Sequence, residues 1–430
     1  MNNFSKNILK EGVWVLIGQI LVVVGGLVLL AILTEYLVPA EYGELALGLT
    51  IAGLVNQVVM GSLGNGISRF YSISAEENNI SSFFYACRKL MGYATVIVLA
   101  VGLVVIGVLH SIGYSRWLGL VSSAILLSII NGYSAILSGI QNAARQRVSV
   151  AIYGGFDACI KVLLALGVIF WMGGGSTEVI LSFALSSMVI TILQLISIRN
   201  LVGPQCQESN VSINWVHQIL KFSLPFSSWG IFTWAQLASD RWALQNYTSI
   251  EEVGLYAVLF QIGYVPIGML TGVISSLLGP IFFQFIGNAT NENRNRLLHQ
   301  VSWYLTFAYI SLTVIAVIFT YYTHEWLFDL LINPKYHKNS YLLPWMILAS
   351  GIFSAGQLLC LKLIAEMRSA DMISAKIITS IVGVVLNIYG AKLFGIQGVV
   401  AALVLFSVSY FFWIVILAQY QVVSSNNKKI

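Results

Sequence analysis

Charge is what this sequence has least of. Lys, Arg, Asp and Glu together make up 9% of its 430 residues, against roughly 25% in a soluble domain. A deficit sustained over the whole length excludes an ordinary water-soluble fold, since a domain of this size cannot cover hydrophobic helices on every side. No polar stretch is long enough to fold as a separate soluble domain. The longest interruptions, about 15–20 residues, suit loops between spans. The four cysteines (Cys87, Cys159, Cys206, Cys360) stand far apart and none has C-x-x-C spacing, which excludes a cysteine metal centre and reads as free, mostly buried thiols. The five histidines (His110, His217, His299, His324, His337) are scattered, and there is no H-E-x-x-H, G-x-S-x-G or Walker-type loop. Catalysis and ATP-driven work are therefore not expected, nor is a bound cofactor. Gly173-Gly174-Gly175 reads as a turn, because no strand precedes it. The net charge of +5 comes from basic residues lying between hydrophobic runs and not in clusters, so membrane topology explains it better than a nucleic-acid partner does.

Apolar residues, by contrast, make up 58% of the chain. A transmembrane helix needs about 20 of them in a row. Segments of that length fall at 13–33, 45–67, 90–112, 118–140, 151–172, 179–198, 221–245, 253–285, 301–323, 341–365, 373–393 and 397–420. The pattern predicts an all-α integral membrane protein of about twelve transmembrane helices. The first run, with no small-residue cleavage site after it, reads as a helix and not as a cleaved signal peptide. The eighth is too long for one straight span, and Pro266 and Pro280 within it predict a kink or a late turn out of the membrane.

Basic residues set the orientation. Fifteen Lys and Arg fall on the side of the N-terminus, four on the other side (Arg116, Lys335, Lys338, Lys392) and three within spans (Lys161, Arg241, Lys362). That asymmetry predicts an even number of spans with both termini cytoplasmic. Two halves are expected: a six-helix bundle over residues 1–203, a cytoplasmic linker over 204–220 and a second six-helix bundle over 221–430. The turn Leu37-Val38-Pro39-Ala40-Glu41-Tyr42-Gly43 after the first helix has a counterpart after the seventh, Ser249-Ile250-Glu251-Glu252-Val253-Gly254-Leu255-Tyr256. Matching Tyr42 to Tyr256 gives an offset of 214 residues, half the chain. Both halves begin in the cytoplasm, so the repeats are parallel, and paired bundles of this kind bracket a central cavity.

An ionisable side chain at membrane depth costs a few kcal/mol unless it faces a cavity or a partner. Asp157 and Lys161 lie four residues apart on one helix face, as do Lys362 and Glu366. Each pair reads either as a local neutralised pair or as part of a working site. Asp240 and Arg241 are neighbours and point about 100° apart on a helix, so one can face a cavity while the other pairs elsewhere. Arg241 has no acid four residues before or after it (Leu237, Gln245), which favours a function. Arg69 closes the second span. Lys161, Arg241 and Lys362 are candidates for a cationic lining that binds an anionic substrate such as a phosphate or pyrophosphate. Asp157 and Asp240 are candidates for coupling to H+ or Na+. Gly268-x-x-x-Gly272 permits close helix contact.

Taken with the twelve-span layout, the Leu37–Gly43 turn, the helix ending Gly61-Ser62-Leu63-Gly64-Asn65-Gly66-Ile67-Ser68-Arg69-Phe70, and Asp240-Arg241 followed by Glu251–Tyr256 resemble the polysaccharide-biosynthesis flippases. These are the O-antigen and capsule repeat-unit translocases of the multidrug/oligosaccharidyl-lipid/polysaccharide exporter superfamily. The resemblance implies two six-helix bundles forming a V around a central cavity in the bacterial inner membrane. It implies an undecaprenyl-diphosphate-linked oligosaccharide as cargo, moved to the outer leaflet by ion-coupled alternating access. It also names a polysaccharide polymerase and a chain-length regulator as candidate partners of a monomeric transporter. On the family pattern Arg241 maps to the Asp-Arg pair ending the seventh helix and Arg69 to the basic end of the second, while Lys161 and Lys362 rest on charge and depth alone. The competing reading is a cation-coupled multidrug or metabolite exporter of the same architecture, whose cavity should be biased toward acids.

Overall fold

Inside a bilayer no water reaches an unpaired backbone N–H or C=O, so a spanning segment must satisfy its own backbone, as a helix does. The computed structural model describes residues 3–77, 79–202, 214–286, 292–366 and 368–427, and the regular structure among them is helical throughout, with no strand. In chain order the helices are α1 (Asn3–Tyr36), α2 (Pro39–Val55), α3 (Gly61–Glu76), α4 (Ile80–Ser111), α5 (Leu118–Ala143), α6 (Arg147–Met172), α7 (Ser176–Val202), α8 (Trp215–Tyr247), α9 (Ile250–Gly263), α10 (Val265–Ile286), α11 (Glu292–Leu331), α12 (Leu343–Ala365) and α13 (Ser369–Asn427). A π turn (Asn56–Met60) joins α2 to α3, and 3-10 turns precede α5 and α12.

Ten helical stretches among the described residues are long and apolar enough to cross a membrane. The expected twelve is reached by two features of sequence. The stretch Ser374–Gln419 is 46 residues long, but α13 bends at Gly395, whose φ of 57° and ψ of −135° are not helical. That conformation is open to glycine and strained for other residues. On either side of the bend Gly390 meets Gly398 backbone to backbone, and Gly383 packs on Phe406, so the two arms run antiparallel and make two crossings. α8 has 33 residues and is long enough, but too polar to stand among the ten. The kink expected in the eighth span falls between α9 and α10. Pro266 takes the second position of α10, where a missing N–H costs nothing, and the Tyr264 carbonyl at the break accepts Ser350 Oγ at 2.8 Å.

By its contacts the chain divides into two compact units, one of Met1–Leu37 with Glu44–Trp234, the other of Val38–Gly43 with Ala235–Ile430. Residues 204–213 of the expected linker lie outside the described residues, and α8 begins at Trp215.

In the first unit α5 and α7 pack through polar side chains. Ser134 Oγ donates to Gln194 Oε1 at 3.1 Å, and Gln194 Nε2 donates to Ser138 Oγ at 2.8 Å. Small hydroxyl residues let two backbones approach while closing their hydrogen bonds between helices, the usual adhesive where lipid removes the hydrophobic driving force. A buried cluster that includes Phe83, Met60, Ile136 and Trp215 forms a core of this unit. In the second unit α12 is the enclosed helix. Its span is 72% buried, whereas that of α6 is 11% buried, so α12 is wrapped by neighbours and α6 is far less enclosed. Of the cysteines, Cys87 and Cys360 are buried, Cys159 is exposed, and Cys206 lies outside the described residues. Among the described residues nothing lies within 4 Å of a Cβ built on Gly268 or Gly272, so the close contact that their spacing permits is not seen there.

The second unit also contains the two matching turns. Val38 N donates to Glu41 Oε2 at 3.2 Å at the start of α2, and Ser249 Oγ caps α9 by accepting from Glu252 N at 3.2 Å. A Cβ placed on Gly43 would lie 2.1 Å from the Ile250 carbonyl oxygen, and one on Gly254 would lie 1.8 Å from that of Pro39. The contact is reciprocal. Val38 and Ser249, Glu41 and Glu252, and Gly43 and Gly254 all lie 211 residues apart. The offset of 214 is therefore corrected by three: Tyr256 takes the place of Leu45, and both are buried.

A methyl group at Gly254 or Gly43 has to push these turns apart. Gly254→Ala should lower stability by about 1–3 kcal/mol and reduce the monodisperse fraction of detergent-solubilised protein. Gly26→Ala, where nothing lies within 4 Å, should leave both unchanged. Equal behaviour of the two variants in a thermal-unfolding assay would refute the crossing.

Candidate functional site

Near the end of α8 a carboxylate is sealed from solvent. Asp240 is 2% exposed. Its Oδ1 accepts from the Arg241 backbone N at 2.6 Å and from Arg241 Nη1 at 3.3 Å, and its Oδ2 accepts from Tyr256 Oη of α9 at 2.7 Å. Arg241 Nη1 also donates to the Leu237 carbonyl at 3.0 Å. The guanidinium lies over the Phe260 ring at 4.5 Å and reaches the Tyr256 ring at 5.8 Å. Phe260 in turn stacks on Tyr264 at 4.6 Å. The spacing of Tyr256, Phe260 and Tyr264, four residues each, lines the three rings along one side of the α9 path.

This arrangement corrects the expectation that one of Asp240 and Arg241 faces a cavity while the other pairs elsewhere, since the two pair with each other. The partner is the preceding residue. A 100° separation between neighbours does not prevent a long guanidinium from folding back onto the shorter carboxylate, and burial makes that closure favourable.

The other sites expected from sequence are placed as follows. In α6, Lys161 Nζ bonds Asp157 Oδ2 at 2.6 Å, and Asp157 Oδ1 accepts Ser186 Oγ from α7 at 2.8 Å. Both side chains of this pair stay about a quarter exposed, 26% for Lys161 and 25% for Asp157. In α12, Lys362 is 2% exposed. It bonds Glu366 Oε1 at 3.1 Å and donates to the Ala418 carbonyl of α13 at 3.1 Å, while Arg368 Nη1 donates to the neighbouring Leu417 carbonyl at 3.0 Å. Lys362 is thereby committed to holding α13 on α12. Arg69 in α3 is exposed and has no acidic partner among the described residues. The structure thus joins Asp240 to Arg241, Asp157 to Lys161 and Lys362 to Glu366. No grouping of three or more His, Cys, Asp or Glu suited to a metal occurs among the described residues.

Sequence reasoning missed Tyr256, Phe260, Ser186 and Arg368. Phe260 and Tyr256 carried a signal, since they follow the acidic turn at four-residue spacing, but an aromatic on an apolar helix reads as packing until the cation is placed above it.

Residues 8–286 match the family described as polysaccharide biosynthesis protein. No curated protein is similar enough in sequence to match the chain. Solved structures with the same fold include the lipid II flippase MurJ in an inward closed conformation, at 13% identity and a TM-score of 0.74, covering 96% of this chain and 87% of that one. A multidrug resistance MATE family transporter of the MOP superfamily, in an inward-facing conformation, matches at 13% identity with a TM-score of 0.68, over 94% of this chain and 95% of that one. The Vibrio cholerae MATE transporter VcmN in its bent form matches at 13% identity with a TM-score of 0.62, over 98% and 97%. These neighbours share its helical fold. The chain is a multi-pass membrane protein and belongs to the polysaccharide biosynthesis protein family.

Proposed function

We propose that this protein is a flippase for lipid-linked oligosaccharides. It moves undecaprenyl-diphosphate-linked repeat units from the cytoplasmic to the outer leaflet of the bacterial inner membrane by alternating access, for O-antigen or capsule assembly. Both termini lie in the cytoplasm. The observation that carries the reading is Arg241, a guanidinium within a membrane-length helix, held in place by one nitrogen and a ring face. A diphosphate exposed unpaired to hydrocarbon is prohibitive, and a positioned cation lowers that barrier.

Lys161 and Arg69 are the further cations we assign to the cargo. Lys362 contributes only by exchanging its bonds to Glu366 and Ala418. Asp157 and Asp240 are the sites we assign to coupling by H+ or Na+. The exporter reading expects a cavity biased toward acids, whereas Asp157 and Asp240 each stand beside a basic side chain.

Three outcomes follow. In vesicles loaded with a prenyl-diphosphate oligosaccharide, the double variant Asp240→Asn with Arg241→Gln, which leaves no buried charge unpaired, should flip at least about tenfold more slowly with normal membrane levels; wild-type rates would sink the role of Arg241. Exchanging Asp157 and Lys161 keeps a local pair but moves the cation, so transport should fall while expression holds, and retained transport would make the pair structural only. In a cysteine-free background, Cys introduced at Arg116 should react with a membrane-impermeant maleimide in intact cells, and Cys at Arg145 only after permeabilisation. The opposite labelling would reverse the topology.

A further inference from the structure

The chemistry at Arg241 goes further than a positive charge. A guanidinium has five N–H donors. Nη1 carries two, and both are used, one on the Leu237 carbonyl and one on Asp240 Oδ1. The opposite edge, formed by Nε and Nη2, makes no hydrogen bond among the described residues. That edge is one of the two by which arginine binds a phosphate or carboxylate through two parallel bonds. Its orientation is fixed three ways: by Nη1 on two acceptors, by the Phe260 ring under the plane at 4.5 Å, and by Tyr256 Oη, which anchors the far oxygen of Asp240 at 2.7 Å so that the near one stays on Arg241. The side chain is 13% exposed, that of Asp240 3%, so the arginine is the more open member of the pair.

The carboxylate has a second consequence. With Asp240 ionised, the pair is neutral overall. An incoming phosphate then gains two directed hydrogen bonds but little net Coulomb attraction. A bare buried arginine would bind it far more tightly and release it slowly, and a transporter must release what it binds.

We infer that the Nε–Nη2 edge of Arg241 is a preorganised fork for two oxygens of a phosphate group, and that Asp240 is its built-in moderator, setting affinity low enough for release. Tyr256 and Phe260 are positioning residues for this fork. The inference rests on the flippase reading, which supplies a diphosphate as the ligand, and it gives the Asp240 carboxylate a role toward the anion that is separate from ion coupling.

The sign of the effect separates this from a structural role. Asp240→Asn leaves one uncompensated positive charge at the fork, so the full-length protein in detergent should bind inorganic pyrophosphate about tenfold more tightly than wild type, while vesicle transport of a prenyl-diphosphate oligosaccharide shows a lower KM and a lower maximal rate. Arg241→Lys keeps the charge but lacks the fork, and should bind pyrophosphate about tenfold more weakly. Tyr256→Phe removes one hydroxyl from the anchor and should raise KM with little change in maximal rate. Thermal unfolding of each variant reports whether it is folded, and Tyr256→Phe, the mildest change, carries the test if Asp240→Asn does not fold. Unchanged or weaker pyrophosphate binding by folded Asp240→Asn, or unchanged binding by Arg241→Lys, overturns the fork and leaves the flippase reading standing. So does an unchanged KM in Tyr256→Phe. Tight pyrophosphate binding with no flipping of the prenyl-linked sugar by wild type overturns the flippase reading. No pyrophosphate binding by wild type overturns the fork itself.

Discussion

A charge in hydrocarbon must bring its own partner. Where water is absent, an isolated carboxylate or ammonium is too costly to keep, and the arrangement of this protein follows from that. Asp157–Lys161, Asp240–Arg241 and Lys362–Glu366 are each closed within four residues of sequence, so each charge finds its partner on its own helix. What differs among them is how much each pair leaves over. Lys362 is used up in holding one helix on another. Asp157 and Lys161 keep part of their surface open. Arg241 keeps one edge.

The same constraint governs the uncharged polar groups. Gln194 is clamped by two serines of α5, and Asn387 Nδ2 of α13 donates to Ser239 Oγ of α8 at 2.9 Å. Lipid gives helices no hydrophobic reason to associate, so such bonds, with close backbone contacts, specify which helices are neighbours. Breaks in helical geometry are handled likewise. At the π turn, the Gln57 carbonyl accepts Ser62 Oγ at 3.0 Å and Asn56 Nδ2 returns to the Ala52 carbonyl at 3.1 Å, so the widened turn keeps its polar groups occupied.

The helices themselves were legible in the sequence, because a bilayer converts length and apolarity directly into a span. The kink near Pro266 was legible for the same reason that proline is. The π turn and the bend at Gly395 were not, since each depends on a local choice between nearly equivalent backbones. The candidate charges could be named from depth alone, yet their partners could not. The rule of four predicts Asp157–Lys161 and Lys362–Glu366 well and fails for Asp240–Arg241, where burial and an aromatic platform on another helix decide the rotamer. The repeat was visible, but its register was not. Matching tyrosines favours 214 residues, while the acids Glu41 and Glu252 and the glycines favour 211, and only the backbone contact selects between them.

That contact gives the two glycines an unusual inheritance. Gly43 and Gly254 stand at equivalent points of the two matching turns, and each provides the space that the other's turn needs. A side chain at one cannot be accommodated by shrinking the other, because what it meets is a main-chain carbonyl, which no substitution removes. Evolution therefore has no compensating second mutation to offer at this place. A lipid-facing position can change without disturbing a neighbour, but at these two glycines each turn holds the other to a residue without a side chain.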